Sequence, residues 1–593
     1  MSVRSLILIC SLSAVSAFAQ DPPARVARLN WIQGNVSFQP AGVDDWTAAT
    51  VNYPLTTGDH IYTDVGSRTE MHVGPNALRL NGQSNFGFLN LDDRTVQVRF
   101  TEGALEVRLR QLDDGDLYEV DTPQGAISLL RTGDYRIDTD PDRNATMVTV
   151  WSGEVEVTAG GNSFAVHPRE TAYFDNGGAP DVRSANPPDD FDNFVASRNE
   201  GEDRVPPPVH VPPTMAGYED LDAYGTWRQA PDYGWVWAPR VEAGWVPYQR
   251  GHWAWVEPWG WTWIDDAPWG FAPFHYGRWA FVGTGWVWVP GAIVARPVYA
   301  PALVAFVGGP GFSVSVGFGA GTVAWFPLGP REPYYPAYHV STTYIQQVNI
   351  THVTNINVTN VNVTNIRYVN QQVPGAVIAA PQTAFIGARP VAGVARPLNR
   401  AEIVQVRVVG AAPSVVPVRE SVLAGGRLAV ARPSQAVMTR AVVARATPPP
   451  PPVSFEGKQE MLRANQGRPL DAQQINEARR QDPRAVMSRA LIRAASGPIA
   501  PIPPAPPQNR LDSRPPSARP LSAPAPENRP IPAVARPAFE PRPAPEPRPA
   551  AEPRRAPEAR PAPEVRERPA PAAREDRPRP RRDQREEKDK DKK

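Results

Sequence analysis

A 26-residue period in the middle of the chain limits its folds more than any other feature. Gly225-x-Trp227, Gly251-x-Trp253 and Gly277-x-Trp279 stand 26 residues apart, and Gly234-Trp235-x-Trp237 recurs after 26 as Gly260-Trp261-x-Trp263 and after 25 as Gly285-Trp286-x-Trp288. Such a period marks one supersecondary unit used three times. Thirteen of the 17 tryptophans fall inside it, between Trp227 and Trp288. Each unit offers two short strands, and side chains alternate across a strand. Trp253 and Trp255 therefore share a face, as do Trp261 and Trp263, then Trp279 with Phe281, and Trp286 with Trp288. Ala254, Val256, Ile264, Ala280, Val282, Val287 and Val289 occupy the other face. The expected result is a six-stranded antiparallel meander of three hairpins, aromatic on one side and aliphatic on the other.

Indoles at this density either build a small core or form a stacking surface for a ligand, and the sequence leaves both open. On the second reading the binding residues are Trp253, Trp255, Trp261, Trp263, Trp279, Trp286 and Trp288 with Tyr248, Tyr276 and Arg278. They suit sugar rings, peptidoglycan or a cationic head group.

The N-terminus reads as an export signal, residues 1–19: Arg4, an apolar stretch from Leu6 to Val15, and Ala17-Phe18-Ala19 as a small-x-small cleavage site. The apolar stretch is too short to span a bilayer. The only cysteine, Cys10, would leave with it, so no disulfide, thiolate metal site or thiol redox chemistry is expected of the mature chain. No later segment reads as a membrane helix, so none is expected after cleavage. The net charge of +1 gives no general attraction to nucleic acid. The expected location is periplasmic, secreted or at the cell surface.

Residues 25–174 alternate in short strands with Gly and Asp turns, the pattern of a sandwich or β-roll. Val96-x-Val98-x-Phe100, Thr101-Glu102-Gly103, Leu105-x-Val107-x-Leu109 reads as a hairpin, and Val148-x-Val150, Ser152-Gly153, Val155-x-Val157 as another. Four strings here, in order, resemble the FecR domain family. They are Pro54-Leu55-Thr56-Thr57-Gly58-Asp59-His60-Ile61-Tyr62-Thr63, Val120-Asp121-Thr122-Pro123-Gln124-Gly125, Gly133-Asp134-Tyr135-Arg136-Ile137, and Val148-Thr149-Val150-Trp151-Ser152-Gly153-Glu154-Val155-Glu156-Val157. Asp134 stands where the family usually has threonine. The resemblance implies an all-β periplasmic domain that in founding members relays iron-siderophore uptake to a sigma factor. Those members carry a cytoplasmic segment and a membrane helix ahead of the domain. A cleavable signal stands there instead, so the signalling role does not carry over unchanged. The string from Tyr224-Gly225-Thr226-Trp227 to Gly277-Arg278-Trp279 resembles an uncharacterised bacterial domain, rich in Trp, Tyr and Gly, that often follows a FecR domain in exported proteins.

The expected fold class is mainly β: a FecR-like β-sandwich or β-roll (25–174), a Pro/Asp-rich linker (175–217), and an antiparallel Trp-rich repeat sheet (218–291). A long low-complexity and disordered C-terminal region follows: a Gly/Pro/Val and Asn/Thr-rich stretch (292–450), short helices within 451–497, and a Pro/Ala/Arg/Glu tail (498–593). Within the low-complexity stretch, Val348 to Ile366 suits an extended strand, disorder or a solenoid edge.

No zinc, phosphate-loop, dinucleotide or nucleophile-elbow motif occurs. No catalytic residue, metal site or cofactor is therefore expected, and the chain is read as no enzyme. Asp265-Asp266 near His275 suits turn hydrogen bonds better than sugar hydrolysis. The expected role is binding or scaffolding at the envelope, with a glycan, peptidoglycan or envelope protein as partner. A sensory component of a FecR-type system, working through a separate membrane partner, is the alternative, and a cell-wall hydrolase the third.

Overall fold

The computed structural model describes residues 21–495 except 176–178, 309–320, 351, 353–365, 405–406, 411, 427–430 and 483–490. The expected export signal, most of the Asn/Thr tract and the proline-led tail lie outside the described residues. The described chain is mainly β.

Residues 27–184 form two sheets that share one strand, Thr95–Leu109. On one side of the shared strand's C-terminal half stand Asn76–Leu80, Arg68–Val73 and Ala27–Gln33; on the other stand Gly133–Asp140, Ala145–Val150 and Glu170–Asp175. The N-terminal half is flanked by Ser84–Leu91, His60–Thr63 and Val36–Gln39 on one side. Its other flank is Leu117–Asp121, in parallel, then Gly125–Leu129 and Val155–Ala159. The faces that meet are apolar: Leu29, Met71, Leu78, Leu105 and Val107 from the first sheet, Phe38, Ile61, Phe86, Val98 and Phe100 from the second, all buried.

This architecture corrects both expected hairpins. Thr95–Leu109 is one bent 15-residue strand, not two strands and a turn. Gly103, at φ +94°, makes the bend, and a Cβ there would lie 2.6 Å from the Gln83 carbonyl oxygen. Similarly, Ala145–Val150 and Val155–Ala159 belong to different sheets, and Ser152-Gly153 is a corner between them. An apolar alternation interrupted by glycine reads the same for a hairpin and for a strand that changes sheets.

The stretch 175–217, expected as a linker, contains the helix Asp190–Asp203. Asp189 caps it, accepting from the Phe191 and Asp192 amides. Phe191 and Val195 bury against Ala104 of the first sheet.

The repeat forms the three expected hairpins, Gly225–Ala230 with Gly234–Pro239, Gly251–Val256 with Gly260–Asp265, and Arg278–Val282 with Gly285–Val289. Indoles oppose one another across each: Trp227 and Trp237, Trp253 and Trp263, Trp255 and Trp261, Trp279 and Trp288. The change of period from 26 to 25 has a local cause. The first two turns, 231–233 and 257–259, hold one residue more than the third, 283–284. The deletion falls in the turn, so the aromatic register survives. The six-stranded meander is corrected, however. The first and third hairpins join through Trp237 and Trp288 into a four-stranded sheet, and the middle hairpin stands apart.

What covers the middle hairpin comes from the stretch expected to be low-complexity. Val304–Gly308, Thr322–Pro327, Ile378–Pro381, Arg396–Pro397 and Arg407–Gly410 build a five-stranded sheet. Its Trp325 meets Trp253 at 5.4 Å and Trp263 at 6.4 Å between ring centroids. Farther on, helices Phe455–Ala464 and Ala472–Gln481 are followed by a short strand, Ile492–Ala494.

Candidate functional site

The ten residues proposed for an open aromatic surface are all buried. Trp253 contacts Phe306 and Phe385 as well as Trp325, and Trp261 donates from Nε1 to the Val415 carbonyl at 3.1 Å. Trp255, Trp263, Trp279, Trp286 and Trp288 belong to the same core. Tyr248 donates its hydroxyl to the Phe274 carbonyl at 2.8 Å, and Tyr276 lies edge-on to Tyr299. Arg278 satisfies its buried guanidinium on the Glu332 and Gly277 carbonyls and Asn349 Oδ1. Burial brings its pKa down to about 10. An aromatic face lined with indoles is too apolar to stay open when a neighbouring sheet can close it. The stripe is open at Phe281 and at Trp235, the latter 45% exposed and stacked on His210 at 4.3 Å.

Asp265, Asp266 and His275 do not assemble hydrolytic machinery. Buried Asp265 accepts from Trp263 Nε1 and from the Ala267 amide, each at 3.0 Å. Asp266 is exposed. His275 bonds through Nδ1 to the Ala300 carbonyl oxygen, and burial, helped by the Arg28 charge, depresses its pKa to about 3. That imidazole stays neutral.

The concentration of charge lies elsewhere, at the seam between the two-sheet domain and the repeat. Arg68–Val73 turns Thr69, Met71 and Val73 inward, so Glu70 and His72 face outward. The helix Asp190–Asp203 and the start of the repeat then cover them. Glu70 receives Arg79 Nε at 2.6 Å, Arg198 Nη2 at 2.7 Å and His72 Nε2 at 3.1 Å. His72 Nδ1 lies 2.8 Å from Glu219 Oε1, and Glu202 approaches both His72 and Arg79. Arg28, buried, pairs with Asp220 at 2.6 Å and donates to the Pro268 carbonyl at 2.8 Å. Asn52 donates to the Asp265 and Ala267 carbonyls.

The electrostatics follow from this packing. Burial opposes the His72 charge, but hydrogen bonds to Glu202 and Glu219 outweigh it and raise the pKa well above the usual value. Burial likewise pushes Glu70 up, yet His72, Arg198 and Arg79 hold it far below the carboxylate range. Glu106, with only part of Arg79, is raised by burial to about 8. Glu70, His72 and Glu202 place ligand atoms within 4.8 Å of one another. Two guanidiniums already neutralise them, so a cation would have to displace Arg79 and Arg198. The cluster is an ion-pair latch rather than a metal centre.

The outer face of the second sheet is also covered, by residues 437–446. Arg99 Nη2 donates to the Met438 and Arg440 carbonyls at 2.8 and 2.6 Å. Glu119 accepts from the Arg445 and Ala446 amides, Gln97 donates to the Ala446 carbonyl, and the Val443 amide donates to the Thr122 carbonyl. Sequence reading missed both coverings. Its one signal was buried-type strands carrying Glu70, His72, Gln97, Arg99 and Glu119 on their polar faces, which also describes a solvated sheet.

Comparison with known proteins fits this division. The FecR protein family matches residues 59–156, and a family of unknown function, DUF6600, matches residues 218–332. The second match runs on through Thr322–Pro327, the strand that carries Trp325. No curated protein matches the chain. Two crystal structures of a candidate anti-sigma factor from Parabacteroides distasonis ATCC 8503, at 2.50 and 1.65 Å resolution, are similar at 18% identity with a TM-score of 0.20. The similarity covers 21% of this chain and 60% of each of those chains, so this chain spans about three fifths of their length. The FecR family is envelope-associated, and no helix among the described residues is long and apolar enough to cross a membrane. The chain thus carries a FecR domain followed by a DUF6600 domain, here joined by a buried ion-pair seam.

Proposed function

We propose that the chain is an exported, non-catalytic envelope protein whose FecR and DUF6600 domains act as one platform for binding or scaffolding a glycan, cell-wall or protein ligand. One observation carries the reading: Arg28, Asn52 and His72 of the first domain are tied to Asp220, Pro268, Asp265 and Glu219 of the second. Domains joined only by a flexible tether need no such buried, mutually satisfied contacts. A rigid pair can present a composite surface that neither half offers alone. The buried indoles are then the mortar of the platform and not its binding face. Asp265 and His275, held by the Ala267 amide and the Ala300 carbonyl, lend no support to hydrolysis.

The second reading is a regulatory component that passes a signal to a separate membrane partner. The FecR match favours it. One experiment separates the two. The whole chain is incubated with purified wall sacculi and, separately, cross-linked in intact envelopes. Saturable co-sedimentation with sacculi supports the platform reading. A defined cross-link to a membrane protein, without sedimentation, supports the sensory one. Neither result would sink both.

A further inference from the structure

Beside the ion-pair latch, the two domains enclose a cleft of about 330 Å³. That volume lies in the range of small-molecule sites. The FecR side contributes Arg25, Val73, Asp116 and Tyr118, and the chain beyond it contributes Arg296 and Val298. We propose that this cleft binds a saccharide of one or two rings. The proposal rests on the platform reading and names its ligand class.

The polar groups of the cleft are mostly spent on one another. Asp113 accepts from Arg296 Nη2 at 2.6 Å and from Gln111 at 2.9 Å. Arg25 Nε donates to the Asp92 carbonyl at 2.8 Å. Asn76 donates to the Gln111 carbonyl at 2.9 Å and to Tyr118 Oη at 2.6 Å. Two buried atoms are left over. Arg25 Nη2 and Asp116 Oδ1 have no hydrogen-bond partner among the described residues. The Asp116 side chain is 93% buried (7% exposed); Arg296 stands 3.7 Å away, beyond hydrogen-bond reach, and Arg25 is its other charged neighbour. Tyr118, already accepting from Asn76, keeps its own O–H hydrogen for a further acceptor.

A buried donor and a buried acceptor without partners are costly. Arg25 and Asp116 both line the cleft, so a small turn of either side chain offers its unpaired atom to a ligand that supplies both roles. A hydroxyl donates and accepts at once, so adjacent ring hydroxyls satisfy a carboxylate oxygen and a guanidinium N–H together. The remaining wall is apolar, with Val26, Val73, Pro75, Pro297 and Val298. Such a wall suits the C–H face of a sugar ring. Two arginines (Arg25, Arg296) stand against three aspartates (Asp93, Asp113, Asp116), and Asp113 is already paired with Arg296. The balance offers little pull on a fully charged ligand.

The test is calorimetric titration of the whole chain with the N-acetylglucosamine disaccharide, cellobiose and maltose, with the zwitterion Ala-Ala as the contrasting probe. Asp116→Asn keeps the shape and removes the charge. Ile350→Trp plugs the cleft from a position that is 56% exposed, so folding is not at risk. Urea transitions check both variants. The expected result is saturable binding of at least one saccharide, weakened roughly tenfold or more by each variant. No binding of any saccharide to the folded chain, binding that both variants retain, or binding of Ala-Ala alone overturns the proposal. If the variants still sediment with sacculi, the platform reading stands while the cleft is eliminated as its site.

Discussion

His72 of the FecR domain and Glu219 of the DUF6600 domain meet at 2.8 Å, Nδ1 to Oε1, inside a buried network that also holds Glu70, Arg79, Arg198 and Glu202. The contact joins residues 147 positions apart in the chain. It gives the seam a definite pH dependence. His72 is raised above its ordinary 6.5, so its stabilisation is complete below that value and fades as pH rises through the elevated one. Glu70 and Glu219 are lowered from 4.5, so theirs is complete above that value and is lost as pH falls through the depressed ones. The network should therefore be tightest between pH 4.5 and 6.5. His72→Gln should cost about 3 kcal/mol at pH 6, in line with breaking a buried pair. It should also remove the alkaline decline. Urea midpoints at pH 6 and pH 9 check this, and an unchanged pH slope in the variant counts against it.

The tryptophans should behave as core. Trp253→Ala and Trp263→Ala each delete a fully buried indole and should destabilise by about 3–5 kcal/mol. Trp235→Ala, at a 45% exposed position, should cost only about 1 kcal/mol, the worth of its stack on His210. Chemical unfolding of the three variants reads the difference. Equal, small effects at all three positions would mean that the stripe is open after all.

Much of this was legible beforehand, for a physical reason. A glycine at positive φ ends the first two repeat turns, at Gly234 and Gly260, and opens the third, at Gly283, and a fixed strand length then puts indole opposite indole. Those are local constraints. The FecR strings were legible in the same way: Asp59 of Thr56-Thr57-Gly58-Asp59 accepts from the Thr56 and Ala41 amides and closes a turn. What covers a face is not local. Trp325 and Phe385 lie in stretches rich in Gly, Pro and Val, and nothing near them states that they close over Trp253. The same blindness turned the bend at Gly103 into a hairpin and left the covering of Glu70 and His72 unread.

That bend makes its own prediction. Gly103→Ala forces a Cβ to within 2.2 Å of Ser84 Oγ and 2.6 Å of the Gln83 carbonyl, at φ +94°. The backbone carbonyl cannot rotate away as a side chain can. A loss of about 2 kcal/mol or more is expected, measured by thermal or urea unfolding. Gly66, at φ +69° but with open space around it, should lose less on the same substitution.

The segment laid across the second sheet should come loose when its anchors are removed. Arg99→Met deletes the donor to the Met438 and Arg440 carbonyls, and Glu119→Gln weakens acceptance from Arg445 and Ala446. Trypsin should then cut after Arg440 and Arg445 several-fold faster under native conditions, because local opening exposes the scissile backbone. Cleavage rates equal to those of the unmodified chain would show that other contacts hold the segment.

The most direct measurement asks whether one domain feels the other. Arg28 sits on Ala27–Gln33, a strand of the two-sheet domain, yet its guanidinium bonds Asp220 and the Pro268 carbonyl beyond the seam. Fourteen of the 17 tryptophans, Trp227 to Trp325, report on the DUF6600 domain. Urea unfolding of Arg28→Met, followed by tryptophan fluorescence, tests the single-platform claim. The account predicts that the fluorescence transition moves to lower urea together with the far-ultraviolet circular dichroism of the whole chain. A fluorescence midpoint that stays where it was, while the FecR sheets alone are destabilised, would contradict it.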